Sequence, residues 1–501
     1  MGQEIAKGKV FVDKNKNGVL DSNEKGVPGV NVSNGIDVVT TDKSGRWKIP
    51  IGENTTLFVI KPSGYITPVN SYQIPQYFYI HKPEGSPDLK VAGSKPTGEL
   101  PESINFPLYK NGNESEFSAI LFGDPQARGI KEVNFITKDV VQELIGTDAA
   151  FGVTLGDITA DGPALFGEIS QSIGQIGIPW YYIMGNHDYN RDAKKAEHYD
   201  ESFERHFGPS TYAFEYGEVV FVGLNAIKPK EKGKKNYRFS DEDIAFYTNY
   251  LNNVPQNKLV VFMMHVPIMA CGNIEPLYKL IASREHSMSI SAHTHTLHHV
   301  FLDKEMGYNG SKPHHHFISP TVSGSWWCGI YDERGIPHAT MDDGVPNGYS
   351  FINFKGNSYS LTFKAASREA DYQMNIYVPD DVPVKELAST EILVNVFTGS
   401  EKSVTKMKIE GITGWIQLAQ TKTVDPECLR MHNLSPYLNI KHEGKTLDEV
   451  FGWKMDYPSK TSHMWKANLP KRLPKGTHTI TIKSTDMFGK EWLGYKVLRV
   501  N

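Results

Sequence analysis

The sequence predicts a layered α/β domain between two all-β modules. Three observations predict it. Short alternating runs broken by turn residues fill the chain up to about residue 110. Strand-like and helix-period segments then take turns to beyond residue 300, and alternating strands with Gly and Pro turns return in the last third. With 501 residues, 39% of them hydrophobic, the chain can build two to four cores and is not a disordered or fibrous protein.

The first module is read from KGKVFV, GVNVSN, DVVTTDKSGRWKIPI and TLFVIKP, strands separated by Asn, Gly and Asp. A Gly/Pro/Ser-rich stretch from Lys82 to Pro101 leads to one more strand, and the polar joint KNGNESE closes a module spanning 1–111. The central domain, 112–340, opens with the strand Phe117 to Phe122. A helix follows whose Val133, Ile136, Val140 and Leu144 share one face. The strand Phe151 to Leu155, a helix near Leu165 to Ile176, the strand Pro179 to Met184, a hairpin, a helix from Asp241 to Leu251 and the short strands KLVVFMM and SMSIS complete it. The third module, 341–501, reads as a β-sandwich from EILVNVFTG, SVTKMKIEG and GTHTITIKST; its joint with the centre falls between about 327 and 366.

Composition narrows the function. Lys and Arg number 53 against 57 Asp and Glu, a net charge of −4, which leaves no broad basic surface for bulk nucleic-acid binding. No run of about 18 apolar residues is present to make a transmembrane helix. Three widely separated cysteines, Cys271, Cys328 and Cys428, form neither a disulfide framework nor a Cys-rich zinc pattern. The first residues, MGQEIAKGKV, lack the apolar core of an export signal, which is compatible with a mature or trimmed exported chain.

The chemistry concentrates at the C-terminal ends of the central strands, where open α/β sheets place their ligands. ILFGDPQ carries Asp124 and Gln126, TLGDITAD carries Asp157 and Asp161, and IMGNHD carries Asn186, His187 and Asp188. FMMHVP carries His265, and ISAHTH carries His293 and His295. Each residue alone has an ordinary explanation as a turn cap or a hydrogen-bonded core group. Five strand ends supplying them together do not. Carboxylate, imidazole and amide oxygen, with no thiolate, form a donor set for hard or borderline divalent ions.

In order and spacing these motifs resemble the calcineurin-like metallophosphoesterases, whose run is D-x-H, G-D, G-N-H-D/E, H and G-H-x-H. The resemblance covers Asp124 to His295. It implies a four-layer α+β sandwich as the central domain and two divalent ions, Mn, Fe, Zn or Mg, bridged by Asp157. Asp124 and His295 would hold the first ion, with Gln126 at the family's histidine position. Asn186, His265 and His293 would hold the second. His187 would stabilise the transition state or protonate the leaving oxygen, and Asp161 would orient it by analogy with relatives that carry a second acid. The expected reaction is hydrolysis of a phosphomono- or phosphodiester, as a phosphatase or phosphodiesterase, by a metal-bridging hydroxide without a covalent intermediate. Gln126, a weaker ligand than imidazole, favours one alternative: a catalytically weak surface binding or scaffold protein retaining the fold.

In the first module, Asp13-x-Asn15-x-Asn17-Gly18-Val19-x-Asp21-x-x-Glu24 matches the twelve-residue calcium loop, with ligands from Asp13, Asn15, Asn17, Asp21 and Glu24 and the carbonyl of Val19. Its setting between strands resembles the calcium-bearing turns of bacterial surface modules, and calcium would act as a structural brace. An ion-free Asn/Gly turn is the alternative. The three-part arrangement and this loop together lead to the expectation of a periplasmic, secreted or cell-surface protein. The substrate class stays open among small molecules, lipid headgroups and glycans. Trp326, Trp327, Cys328 and Tyr331 are read chiefly as core, Cys271 as a buried inert thiol, and His298, His299, His314, His315 and His316 as surface or packing histidines. Lys228 to Arg238 is read as a solvated loop.

Overall fold

The computed structural model describes residues 4–229, 237–329, 331–434, 444 and 455–501. The chain folds as two compact units: Met1–Thr294 with Phe301–Phe317 and Ile352–Tyr359, and His295–Val300 with Ile318–Phe351 and Ser360–Asn501.

In the first unit the N-terminal residues form two four-stranded sheets. One orders Arg46–Ile51, Glu4–Val12, Phe106–Lys110 and Tyr65–Ile66; the other orders Val38–Thr40, Asn31–Ser33, Thr55–Val59 and Phe78–His81. Alternation of buried and exposed residues, as in Arg46–Ile51, gives each sheet one apolar face.

The site is positioned by two further sheets. In one, Glu116–Phe122, Phe151–Thr154 and Trp180–Tyr182 run parallel, with Phe122 opposite Thr154 and Thr154 opposite Tyr182. In the other, the hairpin Tyr212–Tyr216 and Val219–Gly223 leads into the parallel strands Leu259–Met263 and Ser287–Ser291, with Met263 opposite Ile290. Residues 301–317 and 352–359 cluster with these sheets. Near-continuous burial of FGVT and LVVFM shows strands covered on both faces. The two sheets meet through aromatic rings, Phe151 lying 5.0 Å from Phe221 and 5.2 Å from Phe214.

Helices flank the sheets as their apolar spacing requires. Val133, Ile136, Val140 and Leu144 are all buried, although the helix that carries them passes through a π-turn at Thr137–Val141. The helix Asp241–Leu251 starts at a capping box between Ser240 and Asp243, which satisfies the first backbone N–H groups.

The second unit contains a β-sandwich. Met374–Tyr377, Glu391–Val396, Thr461–Asn468 and Ala419–Thr423 form one sheet. Asp381–Val382, Glu491–Val500, Gly476–Thr485, Val404–Ile409 and Ile416–Gln417 form the other. Val394, Met407, Trp465, Ile480 and Leu498 are among the residues of its core.

Candidate metal centre

Parallel strands in register end on one edge, so residues a few positions past each end fall side by side. Asp124 stands two residues after Phe122, Asp157 three after Thr154, Asn186 four after Tyr182, His265 two after Met263 and His293 two after Ser291. The backbone at these ends is unusual. Asp124, Gln126, Asp157, His293 and His295 all have positive φ, from 36° to 72°, a region that costs a non-glycine residue free energy. Two glycines make the close packing feasible: a Cβ on Gly156 would strike the His265 ring, and one on Gly185 would strike the backbone nitrogen of Asp157.

His265 is the hub. Its Nδ1 donates to the carbonyl of Leu155 at 2.8 Å, which fixes the tautomer and directs Nε2 into the cluster. Around Nε2 stand Asp157 Oδ2 at 3.3 Å, Asn186 Oδ1 at 3.1 Å, His293 Nδ1 at 3.1 Å and Asp124 Oδ1 at 4.0 Å. Lone pairs crowded at such distances require a positive charge among them. Asp157, His265 and His293 each offer a ligand atom within 4.8 Å of the others. The residues therefore fit a divalent cation.

The electrostatics express the same demand. Burial opposes a charge on His265, but Asp157 outweighs it and raises the imidazole to about 9. Asp157 is buried too, yet His265 and His187 pull it down to about 2. Asp124, with burial dominant, rises to about 7.

The expected residues fall into three sets. Asp124, Asp157, Asn186, His265 and His293 come together. Gln126 is adjacent, and its Nε2 donates to Asp157 Oδ2 at 3.2 Å, so it holds this carboxylate. His295 belongs to the second unit, where its Nδ1 donates to Gly324 O at 2.5 Å and its ring lies 4.1 Å from Trp326.

His187 reaches Asp157 through its backbone N–H, 2.8 Å from Oδ1. Its Nδ1 donates to Ala160 O at 2.5 Å, and its Nε2 lies 4.0 Å from Asp157 Oδ2. Asp161 meets His187 only through Arg191: its largely exposed carboxylate pairs with Arg191 at 2.8 Å, the other guanidinium nitrogen lies 3.3 Å from His187 Nδ1, and the backbone carbonyl of Ala160 is the direct partner of that ring nitrogen. Sequence spacing could not show this, because any residue supplies a carbonyl.

Asp188, quoted in the motif but given no role, shapes the loop: its carboxylate accepts from Gly185 N at 2.8 Å and Thr159 N at 3.2 Å, and burial raises it to about 8. Trp326 and Trp327 lie in a turn with positive φ, not in a strand; Trp327 is core, as read, whereas Trp326 packs on His295. Cys271, Cys328 and Cys428 are buried and form no disulfide among the described residues, and His316 is a packing histidine between Ser289 and Ser291.

A cavity of about 670 Å³ opens beside Asn186 and His187. Its wall includes Tyr189, Arg191, Lys194 and Lys228, and no carboxylate lines it among the described residues. Lys228, read as part of a solvated loop, thus borders the site; residues 230–236 of that stretch lie outside the described residues.

In the calcium-type loop Asp13 is buried and accepts from Lys16 N and Gly18 N, Glu24 accepts from Lys14 N and Asp21 N, and the Asn15 and Asn17 amides donate to Asp21. Val19 N donates to Asn17 Oδ1 at 2.8 Å. The carboxylates thus order the turn around themselves.

Three family models match the chain: the N-terminal domain of calcineurin-like phosphoesterases over residues 14–90, the calcineurin-like phosphoesterase domain over 120–297, and the C-terminal domain of calcineurin-like phosphoesterases over 316–492. The chain belongs to the calcineurin-like phosphoesterases. It is a hydrolase of a family that uses divalent metals. A probable glycerophosphodiester phosphodiesterase of Arcobacter nitrofigilis is 25% identical over 229 residues, 40% of this chain and 81% of that protein. Among solved structures, the purple acid phosphatase PPD1 of yellow lupin (Lupinus luteus) seeds shares 13% identity, with a TM-score of 0.34 over 69% of this chain and 68% of that one. The spore cortex lytic enzyme SleM of Clostridium perfringens shares 12% identity, with a TM-score of 0.20 over 78% of this chain and 100% of that one. Overlaps this low bear on neither fold nor activity. No helix among the described residues is long and apolar enough to cross a membrane.

Proposed function

We propose that this phosphoesterase hydrolyses a small phosphodiester at a two-metal centre built on Asp157. The observation carrying the proposal is the convergence of Asp157, Asn186 and His293 on His265 Nε2 within 3.3 Å. Asp124, with Gln126 beside it, would serve one ion, to which the family's motif also assigns His295; Asn186, His265 and His293 would serve the other; Asp157 would bridge them. When bound, such ions supply charge to the phosphoryl oxygens and lower the pKa of a water.

The chain's own residues do the rest. His265 stays oriented through Leu155, and Gln126 steadies Asp157. His187 lines the cavity with one proton held on Nδ1 by Ala160; in its doubly protonated form it gives the second proton, on Nε2, to the departing alkoxide and is left neutral. A diester is favoured over a monoester because the cavity continues past His187, giving room for a second substituent on phosphorus. Arg191 and Lys194 on its wall suit one with an anionic or hydrogen-bonding group. The name of the Arcobacter relative points the same way.

Calcium in the Asp13–Glu24 loop would serve as a brace, read as a rise in melting temperature on calcium titration. That loop and the three-part sequence are the support for a periplasmic, secreted or cell-surface location, and fractionation of the native host and its medium tests it. The substrate proposal is tested with a phosphoester panel in Mn, Zn and Mg. Faster kcat/KM on small diesters than on matched monoesters supports it, and the reverse order overturns it.

A further inference from the structure

A second buried constellation lies wholly in the other unit, and nothing in the phosphoesterase reading uses it. His298, Asp343 and His463 each offer a ligand atom within 4.8 Å of the others. Asp343 and His463 have fully buried side chains, and His298 is half-buried at the start of the strand His298–Leu302.

Proton bookkeeping shows what the cluster lacks. Asn395 Nδ2 donates to two acceptors, the backbone carbonyl of Asp343 at 3.1 Å and Asp425 Oδ2 at 2.8 Å. This fixes the amide so that Oδ1 faces His463 Nδ1 at 2.7 Å, and Nδ1 must carry a proton. His463 Nε2, left with a lone pair, stands 3.2 Å from Asp343 Oδ2. A lone pair and a carboxylate buried face to face repel unless a positive charge lies between them. That charge is either a second proton or a metal ion.

His298 decides between them. Its ring centroid lies 5.4 Å from that of His463, and its side chain makes no hydrogen bond among the described residues. A protonated His463 would gain nothing from a second imidazole at the same point. A metal would gain a ligand, since His298 offers a ring nitrogen within 4.8 Å of the ligand atoms of Asp343 and His463. The spacing also fits. Ligand atoms about 2.0 Å from a tetrahedral ion lie about 3.3 Å apart, close to the 3.2 Å seen here and equal to the 3.3 Å between Asp157 and His265. The supporting groups are of the kind that orient ligands: Asn395 on the far nitrogen of His463, and the N–H groups of Leu297 (2.7 Å) and Val345 (3.0 Å) on the carboxylate.

We propose that His298, Asp343 and His463 bind a divalent ion of the zinc class, a structural clamp that ties together three segments of the second unit. One is His295–Val300, which also carries His295. The proposal does not depend on the phosphoesterase reading.

The test is metal analysis of the full chain, loaded with zinc and desalted, in four forms: wild type, His298→Gln, the catalytic-centre double variant Asp157→Asn/His265→Ala, and all three substitutions together. The double variant should retain about one zinc per chain, lost on adding His298→Gln, and His298→Gln alone should hold about one fewer than wild type. Cobalt(II) loading of the double variant supplies a readout that does not require the His298 variant to fold: a tetrahedral d–d absorption band is expected. A double variant that binds no zinc and shows no such band overturns the proposal and leaves a protonated His463 beside Asp343. So does an unchanged zinc count in His298→Gln.

Discussion

The catalytic cluster and the His463 cluster use almost the same chemistry to opposite ends. Each sets an imidazole Nε2 against a buried carboxylate, at 3.3 Å in Asp157–His265 and 3.2 Å in Asp343–His463. Each fixes the other ring nitrogen with an oxygen, the carbonyl of Leu155 in one and the amide of Asn395 in the other. They differ in backbone and access. The residues around His265 sit on strand-end loops, several with positive φ, and Asn186 and His187 among them line a cavity of about 670 Å³; none of His298, Asp343 and His463 has positive φ. A donor set alone therefore does not make a reactive centre. Strained loops that push ligands toward an open pocket do, whereas the same groups sealed among backbone hydrogen bonds suit a clamp.

The largest effect should come from Asp157→Asn. Loss of the carboxylate that faces His265 Nε2 should lower kcat/KM on the order of 10³-fold or more, while His298→Gln should cost about tenfold at most, because it removes no group that touches the substrate. Steady-state kinetics on one diester compares the two, and equal losses would erase the distinction between reactive centre and clamp.

Next in size is His187→Gln. If His187 protonates the leaving oxygen, kcat should fall on the order of 10²-fold for an alkyl diester and far less for a nitrophenyl diester, whose leaving group needs no proton. A uniform loss across leaving groups would assign His187 to charge stabilisation.

The glycines compare the two regions more finely. A methyl at Gly156 (φ +89°) would strike the His265 ring, and one at Gly344 (φ +82°) would strike the Asp425 side chain. Gly156→Ala and Gly344→Ala should each destabilise by about 1–3 kcal/mol in thermal melts. Gly156→Ala should also weaken metal-dependent turnover by the larger factor.

A last effect, confined to alkaline pH, concerns a buried charge held without any metal. Lys61 is 3.9 Å from Glu114 and lies 3.6 Å over the Tyr216 ring, and burial lowers it to about 8. Between about pH 8 and 10.5 the unfolded chain holds more protons than the folded one at this site, so Lys61 penalises folding at neutral pH and the penalty, up to ~3 kcal/mol, is relieved as pH rises. Relative to Lys61→Met, wild type should gain melting temperature across that window; a gain on lowering the pH would contradict this assignment.

Legibility in the sequence followed locality. Strand ends with polar residues are visible one motif at a time, and parallel strands deliver them to one edge without further instruction, so Asp124, Asp157, Asn186, His265 and His293 could be named. Orientation by backbone was not legible: Ala160, which holds His187, bears no chemical signal. Nor was the His298 cluster, whose members are separated by 45 and 120 residues, each ordinary alone. Arg191 and Lys194 read in the sequence as ordinary loop charges, because only the folded loop turns them toward a cavity. The near-neutral net charge points to the metals alone as the attraction for substrate; the structure adds a local basic wall that whole-chain arithmetic averages away.

Hydrolysis through the cation demanded at His265 Nε2 is tested most directly with bis(p-nitrophenyl) phosphate. Its turnover by the chelator-treated protein is measured before and after Mn or Zn is returned, with Asp157→Asn treated in parallel. The predicted result is loss on chelation, recovery on return of metal in wild type and no recovery in the variant. Undiminished hydrolysis after metal removal, or wild-type rates in Asp157→Asn, would contradict it.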